Sequence, residues 1–277
     1  MEQGNLYIVA TPIGNLDDIT LRAIKTLQEA DLIAAEDTRH TLKLLNHLEI
    51  SKPMISYHRH NEETKSNVLI EKLQEGQNIA LVSDAGTPGI CDPGEEVIKK
   101  CIELGIKIVP IPGACAMINS LICSGIDTKE FTFLGFLPLN KKLRKKKLEE
   151  IEKSNKTVII YEAPHKLETT LKDLQKILNE ERKITLAREI TKIHEEFIRG
   201  NINDYKSKKY DFLPTFTGGL VGYFSYDYIK YAEHSLNLNA KDEEHFKDVD
   251  FLLFDTVIAF AHSSQPLLLL PPVPFAP

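Results

Sequence analysis

The 277 residues are 42% hydrophobic and 27% charged, globular values that allow a sizeable core in one large domain or two ordinary ones. A net charge of −6 argues against a general nucleic-acid coat but leaves room for a local basic patch. The longest apolar run, Phe251 to Phe260, contains Asp255 and falls well short of the roughly 20 residues of a membrane span, so no membrane partner is expected.

The N-terminus, MEQGNLYIVATPIG, lacks the basic-then-apolar pattern of a secretory leader. Cys91, Cys101, Cys115 and Cys123 form no C-x-x-C pair, so reduced thiols in a cytoplasmic protein are expected.

Leu6 to Ala10 reads as a short buried strand running into the loop Thr11-Pro12-Ile13-Gly14-Asn15-Leu16. Thr20 caps a helix carrying Leu21, Ile24 and Leu27 at helical spacing. Leu32 to Ala35 is a second strand, ending in the charged cluster Glu36-Asp37-Thr38-Arg39. A helix follows with Leu42, Leu45 and Leu48 on one face. Met54 to Tyr57 is a third strand, followed by the polar turn His58-Arg59-His60-Asn61 and a helix from about Glu62 to Gly76. His58 and His60 lack a third ligand at a recognisable spacing, so no metal is expected.

Ile79 to Val82 is the fourth strand. It breaks into Ser83-Asp84-Ala85-Gly86-Thr87-Pro88-Gly89, a loop whose glycines can bring backbone close to a ligand. Asp92-Pro93-Gly94-Glu95 reads as a helix start with Asp92 as N-cap and Pro93 in the first position. Gly105 stops that helix, Ile106 to Val109 is a fifth strand, and Pro110-Ile111-Pro112-Gly113 turns into a helix ending near Gly125. Five strand–helix units in about 125 residues call for a mainly parallel sheet covered on both faces. The three loops that hold Gly and Pro together, 11–16, 83–89 and 110–113, are expected to line one cleft. No G-K-[ST] and no G-x-G-x-x-G follows a strand, so neither phosphate-binding fingerprint applies. On chemistry alone the 83–89 loop is either a tight turn or a ligand wall, with Asp84 as its informative acid.

The pattern then changes. Phe131 to Phe136 is strand-like, and Lys141 to Lys147 holds six basic residues in seven. Those cations are either a solvated surface or a phosphate-backbone contact. Thr157 to Tyr161 is a strand ending in Glu162-Ala163-Pro164-His165, and Leu167 to Leu178 is helical. Ile184 to Ala187 is a strand ending in Arg188-Glu189-Ile190-Thr191-Lys192, and His194 to Arg199 is another. Two strands in succession call for antiparallel pairing in a second α/β domain. From Asn203 the chain has no arginine and carries −4 of the net charge. Pro214 to Tyr231 reads as strand, turn, strand, and Phe251 to Phe260 as a further strand. The tail from Ser263 has five prolines in its last 12 residues and is expected to be disordered or loosely packed.

The segments TPIGNLDDITLRA, AAEDTRHTLKLL, ALVSDAGTPGICDPG, PIPG, FTFLGFLP, YEAPHKL and AREITKIHEEFIRG occur in this order within residues 1 to about 202. Together they resemble the bacterial small-subunit ribosomal RNA 2′-O-methyltransferases of the tetrapyrrole methylase superfamily. The resemblance implies two α/β domains, each a mainly parallel or mixed sheet flanked by helices, holding S-adenosyl-L-methionine between them. It implies that Pro12, Asp84, Ala85, Gly86, Thr87, Gly89, Pro112 and Gly113 line the cofactor site, with Tyr161, Glu162 and Ala163 closing it. Ala114-Cys115 and Cys91 depart from the family pattern by small swaps that should leave binding intact. The implied substrate is a cytidine ribose in the 16S RNA of the small ribosomal subunit, not DNA, and the implied assembly is a homodimer. Candidate catalytic groups are Glu36, Asp37, Glu189 and Lys192, and candidate RNA contacts are Arg39, Lys141, Lys142, Arg144, Lys145, Lys146 and Lys147.

Residues 204 to 260 instead resemble an N-terminal fragment of anthranilate synthase component I, without that family's catalytic motifs. The expected domains are therefore 1–125, 126–202 (short of its last strand), a foreign segment 203–262, and the tail 263–277. Rival expectations are a methyltransferase acting on a small tetrapyrrole, and an inactive chimera with a ligand-binding tail.

Overall fold

The computed structural model describes residues 2–205 and the strand segments 219–224, 249–254, 258–259 and 268–269. Five short apolar runs form a wholly parallel sheet: β1 (Leu6–Val9), β2 (Leu32–Ala35), β3 (Met54–Ser56), β4 (Ile79–Val82) and β5 (Ile108–Ile111). Their order is β3-β2-β4-β1-β5. All four residues of β2 and of β4 are buried, as expected for inner strands covered on both faces. The fifth strand runs two residues beyond the expected Val109 and includes Pro110. Proline lacks a ladder donor, and β5 tolerates it because it is the edge strand.

Period-2 alternation divides the core. Leu6, Ala34, Ile79 and Leu81 face α3 (Glu62–Gln74) and α4 (Glu95–Glu103), meeting Leu69, Leu73, Val97 and Cys101. Val9, Ile33, Ala35, Ala80 and Val82 face α1 (Leu21–Glu29) and α2 (Thr38–His47), meeting Ala23, Leu27 and Leu45. Thr20 caps α1 as expected, its hydroxyl accepting from Ala23 N at 3.1 Å. The helix faces are rotated from those the leucine spacing suggests. Ala23, Thr26 and Leu27 are buried while Leu21 is 85% exposed, and in α2 the buried set is Thr41, Leu44 and Leu45 while Leu42 faces out.

The chain leaves β1 toward α1 on one face and leaves β4 toward α4 on the other. These adjacent strands therefore open a crevice at their carboxyl ends, where open α/β sheets take ligands.

Beyond α5 (Ala116–Ile122), β6 (Phe131–Phe136) pairs in parallel with β7 (Thr157–Tyr161), with α6 (Lys141–Lys153) between them. The strands β8 (Lys183–Arg188) and β9 (Glu196–Asn201) pair antiparallel, as two successive strands require. By contacts the chain divides into two compact units. One holds residues 1–161 and 177–201; the other holds 162–176, including most of α7 (Leu167–Ile177), with the chain from Ile202 on.

In the second unit β10 (Gly219–Phe224) pairs antiparallel with β11 (Val249–Phe254), each overlapping a stretch that reads as strand in the sequence. Two-residue strands β12 (Ile258–Ala259) and β13 (Leu268–Leu269) also pair. The rest of the expected foreign segment and loose tail lies outside the described residues.

Candidate active site

Three loops at strand ends are stitched together in the first unit. Thr11 N donates to Gly86 O at 2.8 Å and Gly86 N returns to Thr11 O at 3.0 Å, joining the β1 and β4 loops. Thr11 Oγ1 also donates to Ser83 O at 3.3 Å, and Thr87 Oγ1 donates to Ala114 O at 3.2 Å, bringing in the β5 loop. Gly86 has φ +84°, which favours glycine, and a Cβ there would lie 3.3 Å from Ile13 Cγ2. A Cβ on Gly113 would lie 2.9 Å from Ala10 Cβ. Pro12, Ala85, Gly86, Thr87, Gly89, Pro112 and Gly113 thus belong to one loop cluster.

Asp84 stands at the end of β4 with Oδ1 accepting from Asp37 N at 3.0 Å. Asp37 caps α2, its carboxylate accepting from Arg39 N at 2.9 Å and from the Arg39 guanidinium at 2.7 Å. That guanidinium holds the Asp37 carboxyl well below the usual carboxylate range. Asp37 and Arg39 are therefore engaged with each other at an exposed helix start. Glu36 points its carboxylate toward Asp84 N at 3.5 Å. Burial and the neighbouring Asp84 push its carboxyl up, against the pull of Arg59 and His58.

Asp92 also lies against this loop cluster, although in the sequence it reads as the cap of α4. That helix begins at Glu95, and its N-terminal amides are held from another element: Gly94 N and Glu96 N donate to Glu62 Oε1 at 2.9 and 3.3 Å. Tyr57 OH supports the same corner, bonding Glu62, Ser66 and Val97 N. Relieved of capping, Asp92 turns inward to the Ser83 hydroxyl. Burial first, then Glu36 and Asp84, push its carboxyl up to about 6, against Arg59 and the Ser83 hydrogen bond. Arg59 donates to the carbonyl of Cys91, which stands at φ +64° in the same loop. The only signal in the sequence for Arg59 is its place in the polar turn after β3.

Tyr161, at the end of β7, belongs to the first unit. Its hydroxyl accepts from Met117 N at 3.0 Å at the start of α5, beside the β5 loop. Its ring packs edge-on against Phe133 and Phe136 at 4.9 and 5.7 Å. Burial, then Cys115, pushes its phenol up to about 12. Glu162 and Ala163 belong to the second unit, where the Glu162 carboxylate accepts from Thr170 Oγ1 at 2.5 Å and from Ala163 N at 2.9 Å.

Glu189 and Lys192 lie on the loop between β8 and β9. Lys192 Nζ is 3.9 Å from Glu189 Oε2, and both side chains are largely shielded. The stem of Lys192 lies on Gly14 of the β1 loop. The pair is thus brought to the same loop cluster.

The basic run forms the first two turns of α6, capped by Asn140, whose side chain accepts from Lys142 N and Leu143 N. Leu148 and Ile151 are buried, and Arg144 and Lys147 are half-buried on that side. Lys141, Lys142, Lys145 and Lys146 face out. Lys145 and Lys147 reach Glu149 and Glu150 at 3.9 and 2.8 Å.

An open parallel sheet with clustered glycine loops at its switch point describes a cofactor-binding α/β protein, and the comparisons specify which. The family model "Tetrapyrrole (Corrin/Porphyrin) Methylases" matches residues 5–205, and the chain belongs to that family. Within it, the chain is 57% identical over 199 residues to Ribosomal RNA small subunit methyltransferase I of Synechocystis sp., covering 72% of this chain and 71% of that protein. It is 54% identical over 203 residues to the protein of the same name from Halalkalibacterium halodurans, covering 73% and 70%.

Among solved structures, the methyltransferase CobJ superposes with a TM-score of 0.58 at 18% identity, covering 73% of this chain and 88% of that one. Uroporphyrin-III C-methyltransferase from Thermus thermophilus, complexed with S-adenosyl homocysteine, gives 0.53 at 17% identity, covering 73% and 90%. At those identities the likeness is one of fold.

Proposed function

We propose that this chain is an S-adenosylmethionine-dependent methyltransferase acting on a cytidine ribose 2′-hydroxyl in 16S ribosomal RNA of the small subunit. The observation that carries the reading is the 57% identity to a protein named for methylation of small-subunit ribosomal RNA, within a chain whose family match spans the whole loop cluster. The tetrapyrrole alternative rests on the breadth of the family and on a likeness of fold at 17–18% identity.

The residues fit the cofactor. Gly86 and Gly113 let the three loops close on one another, since a Cβ there would meet Ile13 and Ala10, and the acids Asp84, Glu36 and Asp92 beside them suit a ligand carrying positive charge. S-adenosylmethionine held there would supply an activated methyl for the ribose oxygen, its sulfur keeping the electron pair of the C–S bond, and the hydroxyl proton would pass to the protein. The protein positions the reactants and removes the proton. Asp37 is committed to Arg39 and Glu36 faces Asp84, which leaves Glu189 as acceptor of the hydroxyl proton. Lys192, 3.9 Å away, offsets the charge that develops on the oxygen.

The exposed lysines of α6 contact RNA phosphates. Four cations on the outer face of a helix start oppose the helix dipole, an arrangement that a polyanion relieves. The site needs a 2′-hydroxyl on a nucleotide drawn out of its stack, so RNA is the substrate and DNA is not. The enzyme works in the cytoplasm as a homodimer, as the family resemblance implies; no described helix is long and apolar enough to cross a membrane.

The test of this reading is transfer of labelled methyl from the cofactor to unmodified small subunits. Label in cytidine 2′-O-methyl groups supports it, and label only in an offered tetrapyrrole overturns it.

A further inference from the structure

The loop between β8 and β9 has an unusual backbone. Glu189 and Thr191 stand at φ +50° and +67°, in the left-handed region that side chains seldom adopt and β-branched ones least. Short bonds fix the loop: Lys192 N to Glu189 O at 2.9 Å, Glu195 N to Lys192 O at 3.1 Å, and Thr191 N to Glu195 Oε2 at 2.7 Å. At its base the buried Arg188 pairs with Glu196 at 2.7 Å across the two strands. The left-handed turn brings the loop against the β1 loop at Gly14. A Cβ built on Gly14 would lie 2.6 Å from Lys192 Cγ, 2.9 Å from Lys192 Cε and 3.0 Å from Ile190 O. A real Cβ is essentially never so close, so the lysine stem occupies the space that a side chain at position 14 would fill.

We propose that Gly14 is a positioning residue for methyl transfer, forming with the left-handed turn Glu189–Thr191 a seat that holds the Lys192 side chain over the β1 loop. The seat keeps the ammonium beside the Glu189 carboxylate and next to the stitched cofactor loops. The left-handed backbone brings Lys192 to Gly14, and Gly14 is needed because even a methyl displaces the lysine. This inference rests on the methyl-transfer reading for its kinetic consequence, whereas the seat itself can be tested without activity.

Gly14→Ala probes the seat. Position 14 has no left-handed φ, its two closest conflicts are with the Lys192 side chain, and the third, with Ile190 O at 3.0 Å, asks the loop backbone to give by a few tenths of an ångström. In the full chain Gly14→Ala is expected to keep its melting temperature and its calorimetric affinity for the cofactor within threefold, while kcat on small subunits falls at least tenfold. In a Lys192→Ala background the same change should cost nothing further, because the residue acts through the lysine. A kcat within twofold of the parent, or losses that multiply in the double variant, overturns the proposal.

The second measurement is amine acylation followed by mass spectrometry. Lys192 should label more slowly than Lys141 in the parent and severalfold faster in Gly14→Ala; equal labelling of Lys192 in parent and variant overturns the seat. A parent chain that methylates no RNA defeats the methyl-transfer reading, and the labelling result still decides the seat.

Discussion

Asp92 is held beside two other acids, Glu36 and Asp84, at a cost to the fold. Its carboxyl is pushed up from 3.8 to about 6 by burial and by Glu36, so the folded chain holds this proton to a higher pH than the unfolded chain does. Its contribution to stability is therefore fully present below about pH 4 and is lost as the pH rises through about 6. Asp92→Asn should stabilise the protein at pH 7.5 by about 1 kcal/mol, a figure discounted for solvent screening of a half-buried group, or about 2–4 °C in Tm. At pH 4 it should change nothing. Thermal unfolding at the two pH values measures this, and an equal shift at both would remove the charge argument.

Asp84 makes the complementary case. Asp84→Asn keeps an oxygen for Asp37 N but loses the charge, so cofactor affinity should weaken about tenfold, the worth of one charge-assisted hydrogen bond. Asp84→Ala also frees the Asp37 amide and should abolish binding. Calorimetry separates the two, and unchanged affinity in both would take Asp84 out of the site.

Among the elements, α6 carries the RNA argument. Replacing Lys141, Lys142, Lys145 and Lys146 by Gln should raise KM for the small subunit and flatten the slope of log affinity against log salt by about 3, since each phosphate left without its cation removes roughly 0.7–0.9. Tm should hold or rise, since cations leave a helix N-terminus. A salt slope equal to the parent's would exclude this face from RNA binding.

The same scale shows what the sequence can convey. The alternation of apolar runs with helical patterns places β1 to β4 within a residue or two, because those runs are bounded by local turn signals. The start of α4 is misleading because Asp-Pro-Gly-Glu is a good local cap signal, while the actual acceptor, Glu62, lies 32 residues away and only folding brings it close. The seat at Gly14 is equally hidden. Glu and Thr are not residues that announce a positive φ, and contact between positions 14 and 192 exists only in the folded chain.

For the whole molecule, a parallel sheet covered on both faces is legible from the strand–helix alternation. The order β3-β2-β4-β1-β5 is not, because equally apolar inner strands do not declare their neighbours. The loops at the strand ends are recognisable as one cluster because glycine and proline mark them. Assigning that cluster to S-adenosylmethionine needs the family, since one acid beside two glycines fits several nucleoside ligands.

Together, these loops, the Glu189–Lys192 pair and the α6 lysines would act to methylate RNA. The most direct test incubates the full chain with unmodified small subunits and methyl-labelled S-adenosylmethionine, then digests the 16S RNA to nucleosides. The expected result is label in 2′-O-methylcytidine, stoichiometric with subunits and abolished by Asp84→Ala. Absence of label from the RNA, with label accepted by a tetrapyrrole offered in its place, would contradict it.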